Sequence, residues 1–156
     1  MTLVYISIFI IVITAIIVPK RISMIEIYAT SFFAYSVGIT TDIILNLKYD
    51  LYGYGEEGAQ IYTTICLMLI YFSINILYLN FFPFSLKALH KAMYILLWSF
   101  LSVAYEAVIV HTHMFYYNQW KLWYSAALYP IIFSILIGNL ILVKKLLLKF
   151  KQNQVR

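Results

Sequence analysis

The amino-acid sequence predicts an all-α integral membrane bundle of five transmembrane helices, with the N-terminus outside and the C-terminus cytoplasmic. Three observations carry this. First, the 156 residues are 64% hydrophobic and only 11% charged, against about 45–50% and 25% in a soluble domain. Second, five stretches approach the roughly 20 apolar residues that a membrane span requires. Third, the basic residues fall on one side of the membrane if those stretches all cross it. Lys20 and Arg21, Lys87 and Lys91, and the tail residues Lys144, Lys145, Lys149, Lys151 and Arg156 share that side, leaving only Lys48 and Lys121 opposite. Basic residues mark the cytoplasmic face. Four spans would put two of these clusters on opposite sides.

The spans are expected at residues 2–18, 22–45, 60–79, 91–110 and 122–143, in one polytopic domain with a basic tail over 144–156. Pro19-Lys20-Arg21 closes the first. No basic residue precedes that run and no small-residue cleavage pattern follows it, so it is expected to be retained as a span. Asn80 and Pro83 stop the third span. The loop over 46–59 is rich in turn glycines and tyrosines. Phe115, Tyr116, Tyr117, Trp120, Trp123 and Tyr124 form an expected aromatic belt, and most tyrosines are expected in that interfacial role. Phe81, Phe82 and Phe84 are expected in the acyl boundary at the inner face.

Composition excludes disorder, and a lone cysteine, Cys66, excludes a disulfide scaffold. The basic C-terminus reads as a span end beside anionic lipid. No nucleic-acid-binding motif accompanies it. No cofactor is expected, because there is no phosphate loop, no dinucleotide fingerprint and no zinc-protease or hydrolase motif. No catalytic residue is assigned.

Ionisable groups at membrane depth are costly and mark the first place to look for function. Asp42 and Glu106 lie about 5 and 6 Å inside the same ends of the second and fourth spans. Asp42 shares a helical stripe with Gly38, Tyr35, Ser31 and Tyr28. Glu106 shares one with Ser102, Ser99 and His113. The two carboxylates are candidates to meet, with His111, His113, Tyr124 and Ser125 completing an outward-facing ligand- or ion-binding pocket between spans two, four and five. Three arrangements are open: a shared proton, a clamped cation with a histidine ligand, or separate satisfaction by tyrosine hydroxyls. Metal use is left open. Asn75, Gly38, Pro130, Ser134 and Gly138 are expected helix-packing positions, Pro130 as a kink and Ser134 with Gly138 as a small-residue contact. Glu26 is expected to ion-pair with Lys20 or Arg21, and Lys121 to pair with Glu106 or the acidic loop, or to snorkel.

The stretch over 41–55 (TDIILNLKYDLYGYG), the NFFPF of 80–84, the Tyr105-Glu106 pair and the NQWKLWYSAALYP of 118–130 resemble a family of small multi-span membrane proteins of spore-forming bacteria, of Bacillus and Clostridium type. The resemblance carries over Asp42, Tyr49, Glu106, Trp120, Tyr124, Ser125, Tyr129 and Pro130 as pattern positions. It implies a bacterial inner-membrane location and no activity. The leading functional expectation is a non-enzymatic accessory component that binds a membrane partner, lipid, small ligand or second copy. The alternatives are a proton, cation or small-solute transporter or channel subunit, and an intramembrane lipid-modifying enzyme.

Overall fold

The computed structural model describes residues 2–55, 61–112 and 114–154. In chain order they form α1 (Thr2–Ile17), α2 (Met24–Asp42), a π-helical turn (Ile43–Lys48), β1 (Tyr52–Gly53), α3 (Ile61–Asn80), α4 (Ala88–Ile109), β2 (Tyr116–Tyr117) and α5 (Leu122–Gln154).

Three of these helices, α3, α4 and α5, are long and apolar enough to cross a membrane. Helix α1 is apolar but has 16 residues, a length of about 24 Å. Helix α2 has 19 residues and carries Thr30, Ser31, Gly38 and Asp42, which lower its apolarity. The structure also lengthens α5. The helix runs on past residue 143, through Lys144 and Lys145, to Gln154. Leu, Lys and Gln are good helix formers, and no Gly or Pro interrupts them.

Local chemistry sets the boundaries. Pro19 follows α1, and the Lys20 ammonium donates to the carbonyls of Ala15, Ile16 and Val18 at 2.6, 3.0 and 2.6 Å. These are the carbonyls that a helix end leaves unpaired. Helix α2 starts with a capping box: Glu26 N–H donates to Ser23 Oγ, and Ser23 N–H donates to Glu26 Oε2 at 2.7 Å. Glu26 is therefore a capping residue, in place of the expected ion-pair partner. At the end of α3, Asn80 accepts the Arg21 N–H at 2.6 Å and donates to the Pro19 carbonyl at 3.0 Å. One side chain thus fixes the α1–α2 turn to the α3–α4 turn.

Helix α5 packs against α4, α2 and α3, and α3 packs against α1 and α2. The main core sits where α5 meets α3. Tyr78, fully buried, donates to the Phe133 carbonyl at 3.1 Å and lies among Phe82, Tyr94, Trp98 and Phe133. Phe82 has left the expected acyl boundary for this core, whereas Phe81 and Phe84 stay exposed. A smaller cluster of Val4, Ile8 and Met114 brings α1 under the second loop.

Of the expected packing positions, Gly38 meets Tyr71. Asn75, 1% exposed, donates to Thr30 Oγ1 at 3.0 Å and to Ser31 Oγ at 3.2 Å, joining α3 to α2. Pro130 lies inside α5, which is one continuous helical segment around it. Among the described residues the Ser134–Gly138 pair packs against no other helix. Both residues are exposed, Ser134 Oγ bonds to the Pro130 carbonyl, and a methyl group at Gly138 would meet nothing within 4 Å. Leu136, Ile137 and Leu140 carry the buried face of α5 instead.

Candidate functional site

The two carboxylates lie at the same end of the bundle, the end closed by the short antiparallel β1–β2 pair. Tyr52 pairs with Tyr117 and Gly53 with Tyr116. The loops are tied further through one carbonyl. Leu51 O accepts the N–H groups of Asn118, Gln119 and Trp120 at 3.0, 3.0 and 2.9 Å. Asp50, at a φ of 49°, adds a bond from Asn118 Nδ2 at 2.6 Å. Aspartate tolerates this left-handed conformation better than most residues.

Asp42 ends α2 just before the π-helical turn, an irregularity often found at functional positions. It is buried and accepts three hydroxyl bonds. Tyr52 and Tyr54 donate to Oδ1 at 2.7 and 3.1 Å, and Tyr71 donates to Oδ2 at 2.5 Å. The donors come from β1, the residue beyond it, and α3. Asp42 thus joins the first loop and α3 to the end of α2.

Glu106, on α4, is buried in the same manner. Tyr117 and Ser125 donate to Oε1 at 2.5 and 2.6 Å, and Tyr129 donates to Oε2 at 2.7 Å. Ser125 in turn accepts the Trp120 indole N–H at 2.8 Å. Glu106 thus joins the second loop and α5 to the end of α4. The two networks meet through aromatic rings, with Tyr52 and Trp120 edge to face at 5.5 Å between centroids. The carboxylates do not bond each other. Each has its own hydroxyl donors.

Burial drives the phenols in the loops upward in pKa. Tyr52 and Tyr54 are raised by loss of hydration and by the charge of, and hydrogen bond to, Asp42. Tyr117 is raised by burial and by its bond to Glu106. These hydroxyls keep their protons and act as donors.

Of the other expected site residues, Ser125 is in the Glu106 network and Tyr124 is not. Tyr124 packs at a tilt against the rings of Trp120 and Trp123. Tyr129 takes the expected place, because it lies four residues beyond Ser125 on one helix face, whereas Tyr124 is turned away by about 100°. His111 is exposed and its backbone closes a turn to Val108. His113 lies outside the described residues. Lys121 is exposed, and hydroxyls occupy the positions around Glu106 that it was expected to approach. Tyr28, expected on the Asp42 stripe, is 67% exposed, and Thr30 continues the buried face. Among the described residues no group of three or more His, Cys, Asp or Glu side chains is placed to hold a metal ion.

Tyr52, Tyr54, Tyr71, Tyr117 and Trp120 were not anticipated as partners. Tyr71 had a signal: it shares a helical stripe with Asn75 and Tyr78, and all three bond to neighbouring helices. No family model matches this chain, and no curated protein or solved structure matches it.

Proposed function

We propose that the chain is a non-enzymatic integral membrane component: a five-span bundle, N-terminus outside, whose β1–β2 cap forms a fixed outer face for binding a membrane partner, lipid or small ligand. The span count and orientation rest on the basic residues, nine of eleven of which fall on one side in this arrangement. The bacterial inner-membrane location rests on the family resemblance.

The single observation that carries the binding reading is the donor set of the two carboxylates. Asp42 and Glu106 each accept three hydroxyl bonds from this chain. A carboxylate that works as an acid, a base or an ion ligand needs room for a substrate or ion. Here the oxygens are occupied by hydroxyls of the loops and of the neighbouring helices α3 and α5.

Two experiments test it. In cells carrying Cys66→Ala, a membrane-impermeant maleimide is expected to label Gln119→Cys in intact cells and Gln152→Cys only after lysis. The reverse pattern contradicts the orientation. In liposomes, the purified protein is expected to pass neither protons nor potassium above the empty-vesicle rate. Flux that Asp42→Asn or Glu106→Gln abolishes would replace this reading with transport.

A further inference from the structure

The end of the bundle opposite the cap holds a half-open cavity of about 420 Å³, lined by the α1–α2 turn, the α3–α4 turn and α5, with Arg21 on its exposed rim. That volume falls within the range of small-ligand sites, about 300–1,000 Å³. The wall contains two cations, Arg21 and Lys144, and no acidic residue.

Aromatic rings steady both cations. The Arg21 guanidinium lies 5.4 Å from the Phe81 ring centroid, and Lys144 Nζ lies 4.6 Å from that of Phe84. A ring face attracts a cation without consuming its N–H donors. The described carboxylates are engaged elsewhere: Glu26 in its capping box, Asp50 with Asn118, and Asp42 and Glu106 with hydroxyls. The backbone that carries the two cations is fixed. Asn80, 2% exposed, fixes the backbone of Arg21 across the two turns, and α5 carries Lys144 on a regular helix.

We infer that this cavity binds a phosphate-bearing anion, with Arg21 and Lys144 as its donors and Phe81 and Phe84 as the apolar sides of the site. A guanidinium fork matches phosphate geometry, and an ammonium adds a point charge. Basic pockets between membrane helices accept anionic lipid headgroups in this way. The phosphate can be presented by an anionic lipid or by a small soluble phosphate ester. The inference does not depend on the cap.

The test is native mass spectrometry of the full chain in detergent, titrated separately with phosphatidylglycerol, phosphatidylcholine and glycerol 3-phosphate. The expected result is retention of phosphatidylglycerol in preference to phosphatidylcholine. The Arg21→Gln/Lys144→Gln double variant is expected to weaken this by about 30-fold, while Lys149→Gln/Lys151→Gln on the exposed helix end leaves it unchanged. Glycerol 3-phosphate binding with the same dependence on Arg21 and Lys144 would support the site and identify a soluble source. If the double variant does not fold, Ser85→Asp decides, since it puts a negative charge on the exposed cavity wall and keeps both cations. Equal retention of the two lipids without glycerol 3-phosphate binding overturns the inference. So does wild-type affinity in the folded double variant or in Ser85→Asp.

Discussion

The ring of Tyr71 occupies the space left by the missing side chain of Gly38. A methyl group built on Gly38 would lie 2.8 Å from Tyr71 Cζ. Asp42 is four residues further along the same helix face, and the Tyr71 hydroxyl reaches it. The glycine therefore positions the donor, and the donor closes the first carboxylate network.

Gly38→Ala tests this directly. Alanine is favoured over glycine in a helix by about 1 kcal/mol, but overpacking a tight contact costs about 1–3 kcal/mol. Displacing Tyr71 also removes a buried hydrogen bond. The expected net effect is a destabilisation of about 1–2 kcal/mol, read by unfolding in a denaturing detergent. The cost is expected to shrink in a Tyr71→Ala background, where the ring is gone. An equal cost in both backgrounds would mean that the contact is not its source.

The Glu106 network predicts a graded series. Glu106→Gln keeps the side-chain size and an acceptor, and is expected to fold. Glu106→Ala strands the hydroxyls of Tyr117, Ser125 and Tyr129, and is expected to lose about 3 kcal/mol or more, at about 1–3 kcal/mol per unsatisfied buried group. Ser125→Ala removes the link between Trp120 and Glu106 and is expected to lie between them. The same detergent titration ranks the three.

Alkaline pH acts on the loops. Tyr52, Tyr54 and Tyr117 have raised pKa values in the folded protein. Above a pH of about 10 the unfolded chain gives up phenolic protons that the folded chain retains. Stability supplied by these groups is then present in full below that pH and falls as pH rises beyond it. Unfolding followed from pH 8 to 11 is expected to be flat and then to decline. Tyr52→Phe is expected to soften the decline.

The helical segments were legible because long apolar runs and their polar punctuation are local signals. Pro19 marks a boundary that the structure keeps, whereas the Ser23–Glu26 capping box that starts α2 was not read as one, Glu26 being expected to ion-pair. Asp42 and Glu106 stood out because a carboxylate in an apolar run is costly wherever the helix packs. Their donors were harder to find. Tyr52, Tyr54 and Tyr117 come from loops, where no period relates sequence to position, and a loop tyrosine reads equally well as an interfacial anchor. Tyr129, which shares a face with Ser125, is the donor to Glu106 where Tyr124 was expected. The Ser134–Gly138 pattern indicates a surface that permits close approach, but it cannot indicate whether a helix of this chain uses it.

The central claim is that the carboxylate networks hold the cap as a fixed face. Amide hydrogen exchange tests it most directly at Asn118, Gln119 and Trp120, whose N–H groups converge on Leu51 O. The account predicts slow exchange at these three amides in the wild type, and loss of that protection in Asp42→Ala, which releases Tyr52 and the first loop. Exchange in the wild type as fast as in the exposed helix end at 150–154 would contradict it, as would full protection in a folded Asp42→Ala variant.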